Sequence, residues 1–154
     1  MPFDYYQIYD CNPGEIKFIK EKYNKKIISA ITVEKKEDVS KYKSFVSISD
    51  MILFDSKGYE KSLSYDHNLL NEVPNNINKM IAGNIQFDDD IEKFRNICKY
   101  IDISGGLETS GVKDISKIDI FLNKIKQLNN ETKKRYPINS CLLYTSPSPR
   151  DNRW

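Results

Sequence analysis

No stretch of this sequence is apolar for long enough to cross a bilayer. The opening MPFDYYQIYD carries acidic residues where a secretory signal would place basic ones ahead of an apolar core. Neither a membrane nor export is expected, and the cytoplasm is the expected compartment. Cysteine is scarce: Cys11, Cys98 and Cys141 are odd in number, widely spaced and free of any C-x-x-C pair. Neither a disulfide framework nor a zinc site is indicated, and a reducing environment suits the chain. An excess of one charge is lacking too, since 24 Lys and Arg are set against 22 Asp and Glu, for a net charge of +2. Nucleic acid as a partner gains no support from that balance.

What is present suits one globular domain. The chain has 154 residues, of which 39% are hydrophobic and 30% charged, a composition that argues against disorder. Short apolar runs rich in β-branched and aromatic residues recur at Tyr5 to Tyr9, Ile27 to Ile31, Met51 to Phe54, Met80 to Ala82 and Tyr100 to Ile103. They show little alternation, which is the pattern of parallel strands covered on both faces. Helical patterns fall between them. Asn12-Pro13 can open a helix that places Ile16, Ile19 and Tyr23 on one face. A weaker pattern runs from Glu34 to Tyr42, with Val39 and Tyr42 inward. Asp88 to Asp90 can cap a helix carrying Ile91, Phe94 and Cys98, which puts Cys98 in the core. The strongest amphipathic pattern joins Ile115, Ile118, Phe121, Leu122, Ile125 and Leu128 behind Asp114 as cap.

Repeated βα units imply an α/β fold with a parallel sheet, either open and doubly wound or part of a (β/α)8 barrel, and periodicity alone does not choose. The final PINSCLLYTSPSPRDNRW, residues 137–154, has no sustained period and reads as a non-native tail foreign to the domain of residues 1–136. In such folds ligands sit beyond the C-terminal ends of the strands. Three places qualify: Asp55-Ser56, Gly83-Asn84 and Ser104-Gly105-Gly106. An isolated glycine pair more often only makes a turn. Glycine-bearing turns after two successive final strands point instead to backbone N–H groups held open for a phosphate.

The segment IDISGGLETSGVKDISKIDIFLNKIK, residues 101–126, resembles the end of phosphoribosylanthranilate isomerases, where a strand of the form VDVSSGVE is followed by G-x-KD and a helix beginning K-I. YYQIYD, ILFDS and MIAGNI are similar, in order, to the family's fourth, sixth and seventh strands. The resemblance covers about residues 3 to 129. It implies a partial TIM barrel holding strands four to eight with their helices, and the absence of the first three strands.

The resemblance further implies an Amadori rearrangement in tryptophan biosynthesis, from N-(5-phosphoribosyl)anthranilate to 1-(2-carboxyphenylamino)-1-deoxyribulose 5-phosphate, with neither metal nor organic cofactor. Asp55 aligns with the family's general acid. Gly83, Asn84, Ser104, Gly105 and Gly106 align with its phosphate turns, although Asn84 replaces a common glycine and Gly105 a common serine. The family's base is a cysteine in a K-x-C-G motif that nothing here matches. Cys11 follows a different strand and is expected to be a loop or packing residue, so the chain alone is expected to be inactive. KGYEKSLSYDH, residues 57–67, only partly matches the family's glycine-rich loop. His67 falls on a tryptophan there and is expected to be a half-buried residue opening a helix. Gln7 is expected to point into the barrel mouth and make a structural hydrogen bond, and Glu108 is left without an assigned role.

The expected partner is a small phosphorylated molecule. Self-association is also expected, through an exposed edge at Tyr5 to Tyr9. Other phosphate-binding barrels would share the terminal turns but not G-x-KD, and a non-catalytic half-barrel that only binds phosphate is the reading of a different class.

Overall fold

The computed structural model describes residues 4–56 and 64–131. Cys141, the tail at 137–154 and most of the loop that replaces the family's glycine-rich stretch lie outside the described residues. The elements are β1 (Tyr5–Tyr9), α1 (Pro13–Tyr23), β2 (Lys26–Val33), α2 (Lys36–Val39), β3 (Met51–Ser56), β4 (Lys79–Ile81), β5 (Tyr100–Ile101), the short strands β6 (Glu108–Thr109) and β7 (Val112–Lys113), and α3 (Ile115–Glu131). Among the described residues no helix is long and apolar enough to cross a membrane.

Strands β1 to β5 form one parallel sheet in the order β1-β2-β3-β4-β5. Each strand therefore lies beside its predecessor. A doubly wound sheet reverses its order at a switch point, whereas here the sheet advances in one direction throughout. Period-2 alternation divides its side chains between two apolar clusters. Ile31, Val33, Ile52, Phe54, Ile81 and Ile101 face the side covered by α3, through Phe121, Ile125 and Leu128. Ile28, Met51, Leu53, Met80 and Ala82 form the opposite, inner face, with Tyr5, Ala30 and Tyr100 packed against them.

Local chemistry explains the helix ends. Asn12 accepts from the Glu15 N–H at 2.9 Å, and the Glu15 carboxylate reaches back toward the Asn12 N–H at 3.4 Å, a reciprocal cap that fixes the start of α1. Asn24 ends α1 in the left-handed region. Asp114 accepts from the Ser116 N–H at 2.9 Å and starts α3 as expected.

Several expectations need correction. Tyr23 is 49% exposed rather than inward, with its ring edge-on to Tyr6 at 6.1 Å between centroids. Ile115 is 78% exposed, because it sits on the first residue of α3, ahead of the turns that pack. The pattern from Glu34 to Tyr42 yields only the short α2 and a 3₁₀ turn over Ser40–Ser44, although Val39 is buried and Tyr42 packs against the core. The helix expected after Asp88 to Asp90 is a single 3₁₀ turn, Ile91–Phe94. Its apolar residues are buried nevertheless, Cys98 among them.

Candidate active site

Parity along each strand decides what reaches the C-terminal end of the inner face. Tyr5, Gln7 and Tyr9 share one side of β1, and Met51, Leu53 and Asp55 share one side of β3. The register pairs Tyr9 with Ala30 and Ala30 with Leu53, and two residues on pairs Thr32 with Asp55. Asp102, two residues beyond Tyr100, continues the same face past β5. It is 5% exposed, and its N–H donates to the Ile81 carbonyl at 2.8 Å.

Asp55 is the carboxyl at the centre of this end. Its Oδ1 accepts from the Ser56 N–H at 2.8 Å, and its Oδ2 accepts from the Tyr9 hydroxyl at 3.0 Å. Burial pushes its pKa up from the usual carboxylate range, partly offset by those two donors. Tyr9 is 40% exposed, yet desolvation of its hydroxyl first, and then the Asp55 and Asp102 carboxylates, hold it above the ordinary phenol range. It therefore remains a hydroxyl donor at any pH of interest.

The two glycine-bearing turns lie against each other. Gln86 forms a parallel bridge with Gly106, and a Cβ on Gly106 would fall 2.1 Å from the Ile85 carbonyl oxygen. Only glycine admits that approach. Gly83 has φ +101°, and a Cβ there would meet Tyr65 Cε1 at 2.8 Å and the Ser56 nitrogen at 3.0 Å, so this turn abuts the residue that follows Asp55. Asn84 follows with φ 54°, a left-handed conformation that asparagine tolerates better than most residues. That accounts for asparagine where glycine is common. Gly105 has nothing within 4 Å of a would-be Cβ, so the site leaves room for the family's serine.

Electrostatically the turns are mixed. Lys113 Nζ donates to the Ser104 carbonyl at 3.0 Å, lies 3.4 Å from Ser104 Oγ and pairs with Glu108 at 3.0 Å. On the other turn the Gln86 N–H already donates to Asp89 Oδ2 at 2.8 Å. Backbone groups and Lys113 are what can attract an anion. The hairpin β6-β7, turned by Ser110 and Gly111 with φ of 54° and 80°, carries Lys113 back to Ser104.

His67 opens a 3₁₀ turn, His67–Glu72, and is half-buried. Its Nε2 lies 3.2 Å from the Ala82 carbonyl and 3.0 Å from that of Gly83, and burial lowers its pKa. It braces the Gly83 turn. Tyr65 beside it donates to the Phe54 carbonyl at 2.8 Å. Gln7 Nε2 donates to the Tyr9 hydroxyl at 3.0 Å, and Glu108 pairs with Lys113 as stated. Cys11 stays apart from these groups, in a surface groove with Asn12, Gly14, Glu15, Phe18 and Ile19. Burial and then the Glu15 carboxylate raise its thiol pKa, the opposite of what a base or nucleophile needs.

The sequence reading thus placed Asp55, Gly83, Asn84, Ser104, Gly105 and Gly106 at one end of the sheet, where the structure has them. It missed Tyr9, Asp102 and Lys113. Tyr9 and Asp102 emerge only with the register, which puts them on the face that carries Asp55, whereas the GVKD motif already contained Lys113. Among the described residues no group of three His, Cys, Asp or Glu side chains converges as a metal site would require.

Comparison with known proteins gives a single family. The N-(5′-phosphoribosyl)anthranilate (PRA) isomerase family matches residues 3–124. N-(5′-phosphoribosyl)anthranilate isomerase of Brucella canis is 29% identical over 126 residues, 76% of this chain and 57% of that protein. The enzyme of the same name from Rhizobium rhizogenes is 28% identical over 125 residues, 75% of this chain and 56% of its own length. The chain therefore spans a little over half the length of the curated relatives it matches. The crystal structure of phosphoribosyl anthranilate isomerase from Thermotoga maritima superimposes with a TM-score of 0.65 at 20% identity, over 80% of this chain and 62% of that one, a likeness of fold.

Proposed function

The chain belongs to the N-(5′-phosphoribosyl)anthranilate isomerase family, and on that premise we propose that it carries the general acid and the phosphate turns for the Amadori rearrangement of N-(5-phosphoribosyl)anthranilate. The product is 1-(2-carboxyphenylamino)-1-deoxyribulose 5-phosphate, formed in tryptophan biosynthesis in the cytoplasm. The observation that carries the proposal is Asp55, a half-buried carboxyl on the inner face of the sheet, one residue from the Gly83 turn. Burial raises its pKa, the direction a proton donor working near neutrality needs.

Asp55 gives its proton to the ribose ring oxygen, the C1–O bond breaks, and the nitrogen lone pair forms the imine. The proton then lost from C2 goes to a base on another strand of the barrel and the electron pair it leaves behind forms the C1–C2 enaminol, which becomes the ketose as a proton adds at C1 and the 2-hydroxyl proton leaves. The turns at Gly83-Asn84 and Ser104-Gly105-Gly106 hold the 5-phosphate, with Lys113 as the nearby cation. Residues 1–136 are read as strands four to eight of the barrel with their helices, supported by the one-way strand order, and residues 137–154 as a tail foreign to it. The open side of β1 is the edge at which further strands add. In isolation it makes the chain self-associate, which light scattering would report as oligomers, and a monodisperse monomer would argue against this reading.

The test is amide NMR of the chain titrated with the product and, separately, with inorganic phosphate. Both ligands are expected to shift Gly83, Asn84, Ser104, Gly105 and Gly106, and the product alone to shift the surroundings of Asp55. A product that moves none of these resonances refutes the assignment.

A further inference from the structure

We propose that Tyr9 is the positioning residue for Asp55, oriented by Gln7 and holding the carboxylate that remains once Asp55 has given up its proton. The inference rests on Asp55 being the acid and concerns a residue of the YYQIYD segment to which the resemblance assigns no role. Its basis is the chain of hydrogen bonds Gln7 Nε2 to Tyr9 hydroxyl and Tyr9 hydroxyl to Asp55 Oδ2, each 3.0 Å.

The direction of the chain is set by valence. A phenol has one proton to donate. With that proton on Asp55, the Tyr9 oxygen can only accept from Gln7, which sends the amide nitrogen toward Tyr9. Gln7 Oε1 is then left buried without a hydrogen-bond partner among the described residues, so the amide gives up an acceptor contact to keep this polarity. A relay of donors ending on Oδ2 favours the ionised carboxyl. Before proton transfer the carboxyl is neutral and the Tyr9 bond is weak. As the proton leaves, negative charge develops on the atom Tyr9 addresses. The contact therefore strengthens along the reaction, which is the condition for it to raise the rate.

Sterics permit the reach. Tyr9 pairs with Ala30 on β2, and the small alanine side chain lets the tyrosine ring cross β2 to Asp55 on β3. The ionisable groups around Asp55 are Tyr9 from β1, Tyr65 from the loop after β3, and Asp102 from beyond β5, which acts on Tyr9. None of them is a cation, so the Ser56 N–H and the Tyr9 hydroxyl are what oppose the effect of burial on this carboxyl.

The experiment follows the Asp55 carboxyl carbon by NMR against pH in the full chain, in Tyr9→Phe and in Gln7→Leu. Tyr9→Phe is expected to raise the Asp55 pKa, with about a tenfold change in its dissociation constant. Gln7→Leu is expected to raise it by less, because the Tyr9 hydroxyl stays. An Asp55 titration unchanged in Tyr9→Phe overturns the proposal. If that variant gives no dispersed spectrum, Gln7→Leu is read alone, and no upward shift there overturns it. The same samples titrated with product separate the two ideas. Normal shifts at Gly83 and Gly106 with an unmoved Asp55 pKa remove only the role of Tyr9, whereas a moved pKa without product binding removes only the isomerase reading.

Discussion

Replacing Gly106 with alanine tests whether the two terminal turns are held together by backbone packing. The new Cβ would lie 2.1 Å from the Ile85 carbonyl oxygen, 2.9 Å from Gln86 Cα and 3.0 Å from the Ile85 carbonyl carbon. All three are backbone atoms of a segment tied to Gly106 by the Gln86 bridge, so no side chain can swing aside. Overpacking costs about 1 to 3 kcal/mol, and a clash with bridged backbone belongs at the upper end, about 3 kcal/mol. For a domain of this size that corresponds to a fall in Tm of about 6 to 12 °C. Gly105→Ala is the control. Nothing lies within 4 Å of its would-be Cβ, and reduced freedom of the unfolded chain should make it neutral or stabilising by up to about 1 kcal/mol. Urea unfolding followed by circular dichroism, with linear extrapolation, gives both values. Two variants with the same midpoint would refute the reasoning.

Asp55→Asn should stabilise the chain at alkaline pH. A carboxyl whose folded pKa is raised contributes most below its unfolded value, about 3.9, and loses that contribution as pH rises through the folded pKa. The variant should therefore need more urea than the wild type at pH 8 and no more at pH 4, and a lower midpoint at pH 8 would contradict the burial argument. His67 has the opposite sign, since burial depresses its pKa. Its contribution is full above about pH 6.5, the unfolded value, and is lost as pH falls through the folded pKa. His67→Gln should accordingly flatten the loss of stability between pH 7.5 and 5.5, and an unchanged slope would rule the ring out as its source. Gly105→Ser restores a hydroxyl donor where there is room and should tighten phosphate binding by about 1 kcal/mol, roughly fivefold, in a calorimetric titration. Weaker binding would show that Gly105 is not beside the phosphate.

Strands were legible wherever burial on both faces made an unbroken apolar run. β1 runs as expected, β2 and β3 extend further than their apolar runs, β4 starts one residue early and ends at Ile81, and β5 stops at Ile101 rather than Ile103. Helices were legible less often, because periodicity reports which residues face the core and not which backbone hydrogen-bond pattern they adopt. Ile91, Phe94 and Cys98 are buried as helical spacing implied, yet the connection between β4 and β5 forms one 3₁₀ turn rather than a helix. The β6-β7 hairpin has two-residue strands, too short for any alternation to register, and its one signal is Ser110-Gly111 in the left-handed region. At the site, residue types and motif order led to Asp55 and the glycine turns. Tyr9 was hidden because a tyrosine in an apolar strand reads as packing until the register shows what its hydroxyl meets.

The most direct test of the central claim joins this chain, through Tyr5 to Glu131, to the first three βα units of a family member and follows N-(5-phosphoribosyl)anthranilate consumption by anthranilate fluorescence. The account predicts turnover by the hybrid and a fall of about 10²-fold to 10⁴-fold in kcat on Asp55→Asn, with product binding retained. Turnover by Asp55→Asn at the rate of the unmodified hybrid, or a folded hybrid that binds product without turning over, would contradict it.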